Sequence, residues 1–394
     1  MSIHPYIEVK HESKNHHGER ICGDVFLTRR IKEEKRTIVV LSDGLGHGVK
    51  ANILATLTAT MALNFTQEHK NIERIAEIIM NTLPVDSVRK ISYATFTILD
   101  IEDSGKTTIL EFDNPATHIF HGSKLKKHDW EKVVLKSEKN KGKELRTYQF
   151  NAQLEDRIFI TSDGITQSGL GMGTYPFGWG QDNLVDFIEQ LISNDSTISA
   201  ELLARKVVTM AHKNDNYHSK DDTSCAVVYF RRPRRLLLCT GPPYEKERDV
   251  QLAKEVKQFE GKIILSGATT ADIVSRELGK EIEDSFEFPD PDLPPVSYMD
   301  GVDLITEGIL TLSKVTEILK NYSNKTSLGK GPADLIVRNF LDSDEIHLII
   351  GTRINIAHQD PNLPVELEIR RTVVKRIARL LEEKFLKEVK IKYI

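Results

Sequence analysis

The stretch Ile38-Val39-Val40-Leu41-Ser42-Asp43-Gly44-Leu45-Gly46-His47-Gly48 decides how the chain reads. Four apolar residues run into an aspartate and three glycines, and an apolar-periodic segment over residues 51–65 follows at once. That order describes a buried strand, a tight glycine turn and a helix. The carboxylate falls at the end of the strand. Gly44, Gly46 and Gly48 carry no side chains, so backbone carbonyls and N–H groups are open to close approach. A carboxylate beside a bare carbonyl is a natural ligand pair for a hard divalent cation such as Mg2+ or Mn2+. A single Asp-Gly turn is equally an ordinary reversal of chain direction.

The pattern recurs. Arg157-Ile158-Phe159-Ile160-Thr161-Ser162-Asp163-Gly164-Ile165 is a second apolar run ending in an acid. Lys220-Asp221-Asp222-Thr223-Ser224 precedes the apolar residues 225–230, and Ile21-Cys22-Gly23-Asp24-Val25-Phe26 lies upstream of all three. Four acidic turns flanking strands read as a carboxylate cage.

The order Gly-Asp, Ser-Asp-Gly-x-Gly-His-Gly, Ser-Asp-Gly-Ile, Asp-Asp-x-Ser resembles the metal-dependent protein serine/threonine phosphatases of the PPM type, and more narrowly their bacterial SpoIIE-like branch. The resemblance covers about residues 7–230. It implies a β-sandwich flanked by helices and two divalent ions, Mn2+ or Mg2+. In the roles it implies, Asp43 bridges both ions, the Gly44 carbonyl serves one, and Asp163 and Asp221 bind the other. Asp222 is the alternative to Asp221. Asp24 faces the second ion directly or through water, whereas the plain reading of Asp24 is an acid satisfied by backbone N–H groups. Asp43, Asp163 and Asp221 are then the catalytic set, hydrolysing phosphoserine or phosphothreonine with a metal-activated water. Some relatives place a histidine just after the Asp-Gly pair as general acid; here Leu45 stands there and His47 lies two further on. Arg20 and Arg29 are near where relatives outside the bacterial branch bind phosphate with an arginine. Asn114 and His118 fall where the branch carries Asn-Ala-Gly-His, although the central residues differ and the plain reading, a turn before a strand over residues 118–121, is preferred for His118. The implied partner is a phosphorylated protein, such as a small anti-sigma-factor antagonist.

Size and composition bound the rest. A chain of 394 residues exceeds the usual single domain. Its 39% hydrophobic and 28% charged residues suit an ordinary globular protein. A net charge of −4 supplies no global basic field for nucleic acid or an anionic membrane. Cys22, Cys225 and Cys239 have neither zinc nor disulfide spacing, which points to a reducing cytoplasm. No apolar run approaches the ~18 residues of a membrane span. A homodimer is compatible with all of this.

Along the chain, residues 6–9 read as an edge strand, and His11-Glu12-Ser13-Lys14-Asn15-His16-His17-Gly18 as a polar surface loop rather than a transition-metal site. Ile53, Leu54, Leu57, Met61 and Phe65 keep helical spacing on an expected buried face. A second helix is expected over residues 72–83, ending before Pro84, and paired strands over residues 93–98 and 107–112. Helices following hairpins fit an α+β sandwich better than a doubly wound sheet. The lysine-rich residues 124–146 read as a solvated hairpin whose lysines blunt edge strands. The glycine-rich residues 169–178 read as a flap beside the acidic turns, and residues 184–192 and 200–211 as helices.

Arg231-Arg232-Pro233-Arg234-Arg235 marks a junction, giving expected domains 1–232 and 233–394. Beyond it, strand, helix (246–259), strand (262–265) and helix (270–278) argue for a smaller α/β domain with a parallel sheet. Residues 298–322 are expected to be largely helical, 346–350 a strand, and Pro364 the opening of a long helix with Ile369, Val373, Ile377, Leu380 and Phe385 on one face. Ser266, Gly267, Thr269 and Thr270 are candidates for anion binding at a helix N-terminus, or plain caps. Asp300, Asp303 and Glu307 read as a charged helix face. The alternative reading is a catalytically weak regulatory protein whose C-terminal domain senses a ligand or partner.

Overall fold

The computed structural model of the chain describes residues 5–68, 71–82, 94–323, 326–353 and 363–394. The chain divides into two units, Met1–Arg232 and Pro233–Ile394. In the first, the elements run β1 (Tyr6–Lys14), β2 (Asp24–Ile31), β3 (Arg36–Gly44), α1 (Gly48–Gln67), α2 (Ile72–Thr82), β4 (Ala94–Glu102), β5 (Lys106–Phe112) and β6 (His118–His121). There follow β7 (Lys124–Leu125), β8 (Glu131–Val134), β9 (Glu144–Asn151), β10 (Asp156–Thr161), α3 (Asp163–Thr166), α4 (Gly180–Asn194), α5 (Ala200–Asn214) and β11 (Thr223–Arg231). They form a six-stranded sheet, β2-β3-β4-β5-β9-β8, and a five-stranded sheet, β1-β11-β10-β6-β7. Every pairing described in these two sheets is antiparallel.

Side-chain alternation along the strands separates three apolar layers. Val39 and Leu41 of β3 pack with Leu99, Ile158, Ile160, Ala226, Val228 and Phe230, so this core lies between the two sheets. The opposite parity, Ile38 and Val40, packs with Ala59, Ala62 and Leu63 of α1 and Ile75 and Ile79 of α2. On the far sheet, Phe159, Val227 and Tyr229 pack under Leu184 and Ile188 of α4 and Leu203 and Val207 of α5. The result is a helix–sheet–sheet–helix sandwich in the α+β class.

Three local expectations differ from what forms. Strand β1 does not stop at Val9. It pairs with β11 along its whole length, Tyr6 opposite Arg231 to Lys14 opposite Thr223, so residues 11–14 are strand, with the His11 ring stacked on Phe26 at 4.2 Å. In α1 the buried face is Ala51, Ala55, Thr58, Ala59, Ala62, Leu63 and Thr66, while Ile53 and Leu57 are 61% and 46% exposed. The cause is close packing. The helix starts so near the sheet that a Cβ on Gly44 would run into the Ala51 carbonyl, and in its first turns small side chains, Ala51 and Ala55, lie beneath it. The expected helix end at Leu83 before Pro84 and the strand start at Tyr93 lie outside the described residues.

The second unit contains β12 (Arg235–Thr240), α6 (Asp249–Gln258), β13 (Lys262–Ser266), α7 (Ala268–Leu278), β14 (Glu283–Asp284), β15 (Ser297–Met299) and β16 (Val302–Thr306). It continues with α8 (Ile309–Asn321), α9 (Pro332–Asp342), β17 (Glu345–Ile350), α10 (Leu363–Glu383) and β18 (Glu388–Tyr393). Its parallel strands lie in the order β16-β13-β12-β17-β18, with short antiparallel β15 and β14 outside β16. In chain order this is 3-2-1-4-5, the first five strands of a doubly wound sheet. One face is covered by α8, α9 and α10 and the other by α6 and α7.

Residues 298–322 are helical only in their second part, from Ile309 to Asn321. Gly301 takes a φ of 79°, a conformation that favours glycine, and turns the chain from β15 into β16, which lies beside β13; helix begins only at Ile309. Asp300, Asp303 and Glu307 therefore share no helix face. Asp303 accepts the Ile263 N–H at 2.7 Å, and Asp300 pairs with Lys280 at 2.9 Å. In α10, Val373 and Ile377 are buried, but Ile369 is 40% exposed and Phe385 lies past the helix end.

Because the first unit encloses its own three apolar layers, a fragment of residues 1–232 is expected to fold alone. Circular dichroism should show one cooperative melt. An insoluble fragment beside a soluble full chain would contradict this.

Candidate active site

The inward-facing rows of the sandwich end in carboxylates. On β3 the row Val39, Leu41 continues to Asp43, and on β11 the row Phe230, Val228, Ala226 continues outward through Ser224 to Asp222. Asp24 stands directly opposite Asp43 in the β2–β3 ladder, which puts both on one face. Asp163 opens α3 straight after β10, and β10 pairs with β11 so that Thr161 faces Cys225. Asp24, Asp43, Asp163, Asp221 and Asp222 thus gather at one end of the sandwich from four strand ends, those of β2, β3, β10 and β11.

Their electrostatics follow from that crowding. Burial pushes Asp43 well above the usual carboxylate range, and the charges of Asp24, Asp163 and Asp221 push it further. Burial likewise raises Asp24 to about 7; the Ser224 and Ser162 hydroxyls oppose the rise, and Asp222 and Asp221 add to it. Those hydroxyls stand near without making sound hydrogen bonds, for both oxygens of Asp24 are buried and unpartnered. Burial and Asp163 raise Asp221 to about 6. Asp222 is 2% exposed; its Oδ1 accepts the His16 N–H at 3.0 Å, and its Oδ2 is buried without a partner. Orphaned buried anionic oxygens are costly unless a cation meets them. The residues therefore fit hard divalent cations. Among the described residues, no set of three Asp, Glu, His or Cys side chains already stands in ligand geometry.

The glycines of the motifs have packing duties. A Cβ on Gly164 would strike the Asp222 carbonyl, and one on Gly23 would stand 2.6 Å from Asp222 Oδ2. With Gly44 against Ala51, these contacts lock the acidic turns to one another and to α1. Asn114 braces the same end: its Nδ2 donates to Leu41 O at 3.4 Å and Thr97 Oγ1 at 3.0 Å, and its Oδ1 accepts from Thr95. Ser162 and Ser224 tie β10 to β11, with Ser224 N donating to Ser162 Oγ at 2.9 Å. Gln167 Nε2 donates to Asp163 Oδ2 at 2.8 Å.

Other residues singled out from sequence stand elsewhere. His47 is exposed, with Nδ1 2.8 Å from Glu19 Oε1. Arg29 donates to Asn64 and Gln67 of α1, several residues along β2 from Asp24, and Arg20 is exposed. His118 is 8% exposed, and burial drops it to about 4, which keeps it neutral. The loop over residues 169–178 is tied down by Gly169 N to Asp215 Oδ1 at 2.7 Å and Lys220 Nζ to Leu170 O at 2.6 Å. Sequence reading missed the proximity of residues 16–19 to Asp222. In the second unit, Ser266 Oγ donates to Glu307 O at 3.0 Å, Thr269 is exposed, and Thr270 is 1% exposed with an unpartnered Oγ1. Gly267 there has a φ of 117°.

The Stage II sporulation protein E (SpoIIE) family profile matches residues 33–231, half of the 394-residue chain. No curated protein matches the chain in sequence. Among solved structures, the phosphatase domain of the cell fate determinant SpoIIE from Bacillus subtilis is 14% identical, with a TM-score of 0.44 over 59% of this chain and 95% of that one. The PP2C phosphatase domain of SpoIIE with a fragment of its regulatory domain is 13% identical, TM-score 0.48, over 58% and 65%. RsbX in complex with magnesium is 16% identical, TM-score 0.39, over 57% and 95%.

A carboxyl whose pKa rises on folding holds its proton in the fold but loses it in the unfolded chain. Its contribution to stability is complete below about pH 4 and vanishes as pH climbs through the folded values of about 6 to 7. In chelating buffer the melting temperature is therefore expected to fall from pH 5 to pH 8. Asp24→Asn should raise the pH 8 value by about 5 °C. A melting temperature that rises over this range, or an Asn variant less stable at pH 8, would count against the crowded-carboxylate description.

Proposed function

The chain belongs to the SpoIIE family of PPM-type phosphatases, and we propose that it is a metal-dependent protein serine/threonine phosphatase. The observation that carries this reading is Asp43 facing Asp24 across a strand ladder with Asp163 and Asp221 beside it. Asp43, Asp163 and Asp221, with the Gly44 carbonyl, would hold two divalent ions, Mn2+ or Mg2+. Asp24 would face them from the buried side, and Asp222, turned towards Asp24, is the alternative ligand to Asp221. Divalent ions bound there supply an activated water and neutralise charge on the phosphoryl oxygens.

The protein's own part is to hold anionic oxygens where they would otherwise repel. The Asn114 bonds fix the end of β3, so Asp43 keeps its direction. Gln167 orients Asp163. Glu19 holds His47, so the leaving alkoxide takes its proton from solvent instead. The carboxylates open at the end of the sandwich, which suits a phosphoserine or phosphothreonine protruding from a protein. A small regulatory protein of bacterial signalling, such as an anti-sigma-factor antagonist, is the partner in this reading. Among the described residues no helix is long and apolar enough to cross a membrane, in keeping with a cytoplasmic role. The second unit, with its doubly wound order and the buried Thr270 hydroxyl beside Gly267, suits a ligand-sensing role. Anion binding at residues 266–270 is its proposed form.

Hydrolysis of p-nitrophenyl phosphate or a phosphoserine peptide is expected with Mn2+ or Mg2+ and should cease with chelator. Asp43→Ala should lower kcat at least about 100-fold with an unchanged circular dichroism spectrum. Full turnover in EDTA, or by the folded variant, would refute the metal mechanism.

A further inference from the structure

The histidine-rich segment after β1 folds back on the turn between α5 and β11. His17 N donates to Ser219 O at 2.8 Å, and His16 N to Asp222 Oδ1 at 3.0 Å. A cavity of about 390 Å3 opens there, lined by residues 13–19 with His212, Tyr217 and Ser219. It therefore adjoins the acidic turn of the active site without including Asp43, Asp163 or Asp221.

The lining is rich in donors. Lys14, His16, His17 and His212 line it, and the His218 ring lies 4.5 Å from that of His17. His212 Nδ1 is 2.7 Å from Ser219 Oγ and His218 Nδ1 is 2.8 Å from Asn216 O, so in each ring these bonds engage Nδ1 and leave Nε2 out. The one carboxylate in the lining, Glu19, is engaged by His47 Nδ1 at 2.8 Å. Two other acids stand at the margin. Asp215 is buried and accepts Gly169 N, and Asp222 accepts His16 N. Burial lowers the pKa of His212, and Lys14, His218 and His17 lower it too while Asp215 opposes them, so His212 stands there as a neutral imidazole.

A pocket with one lysine, several imidazoles and hydroxyls, and its carboxylate already paired, favours an anion over a cation. We propose that it is a recognition subsite for a second anionic group of the phosphoprotein substrate, an acidic side chain or a second phosphate near the phosphoserine being hydrolysed. This rests on the phosphatase reading above. Lys14 and the imidazoles would place the neighbouring anion while the hydrolysed phosphate sits at the carboxylates, so the subsite acts on KM and substrate choice rather than on the chemical step.

The test compares three phosphoserine peptides: one with flanking glutamates, one with a second phosphoserine and one with flanking alanines. p-Nitrophenyl phosphate, which carries no second anion, is the control. The native chain should favour at least one of the two anionic peptides over the alanine peptide by about tenfold in kcat/KM; which one distinguishes a carboxylate from a phosphate. The variant Lys14→Ala/His17→Ala, and separately His212→Ala, should lose that preference through KM and leave p-nitrophenyl phosphate turnover within about twofold. Equal kcat/KM for all three peptides in the native chain would overturn the subsite while leaving the phosphatase reading intact. So would variants that lose the same factor on the alanine peptide. A native chain inactive on p-nitrophenyl phosphate with Mn2+ would overturn the phosphatase reading and the subsite together.

Discussion

Repulsion among buried carboxylates is the constraint on which the rest of the catalytic unit depends. Asp24 and Asp43 are cross-strand partners, and Asp163, Asp221 and Asp222 are brought to them by two further strand ends. Left to themselves such groups would open the end of the sandwich. What holds them is a largely apolar inter-sheet core behind them, backbone contacts too close for any Cβ at Gly44 and Gly164, and the Asn114 and Ser162 hydrogen bonds across the strand ends. The fold spends rigidity to keep an unfavourable charge arrangement in place, which is how functional sites commonly depart from what stability alone selects.

The parts of this site legible in sequence were those with local signals. An apolar run ending in Asp-Gly names both the strand and the acid at its end, and this holds at Asp43 and Asp163. The placement of α1 after the glycine turn was legible for the same reason. Its buried face was not. Apolar periodicity weights Ile53 and Leu57, whereas the close approach of helix to sheet selects alanine, a constraint that depends on Gly44 and Ala51 meeting in space. Residues 11–19 were opaque because the β1–β11 ladder joins positions more than 200 residues apart. No local pattern announces that a histidine backbone will cap an aspartate at the other end of the unit.

The second unit shows the same division. Strand–helix alternation up to Leu278 was readable, and the parallel sheet it implies is present. The first part of residues 298–322 is strand rather than helix because Val302–Thr306 is held by pairing with β13, with the turn at Gly301 permitting it; the helix expected there forms from Ile309. Helix α9 and strand β18 carry short or charged patterns that take their structure from the sheet and helices they join.

The central claim is that the gathered carboxylates hold divalent cations. The most direct measurement is anomalous diffraction from crystals of the protein grown with Mn2+. The account predicts two strong peaks among Asp24, Asp43, Asp163 and Asp221, with Gly44 O on one of them. Peaks elsewhere, or none at this end of the sandwich at saturating Mn2+, would contradict it.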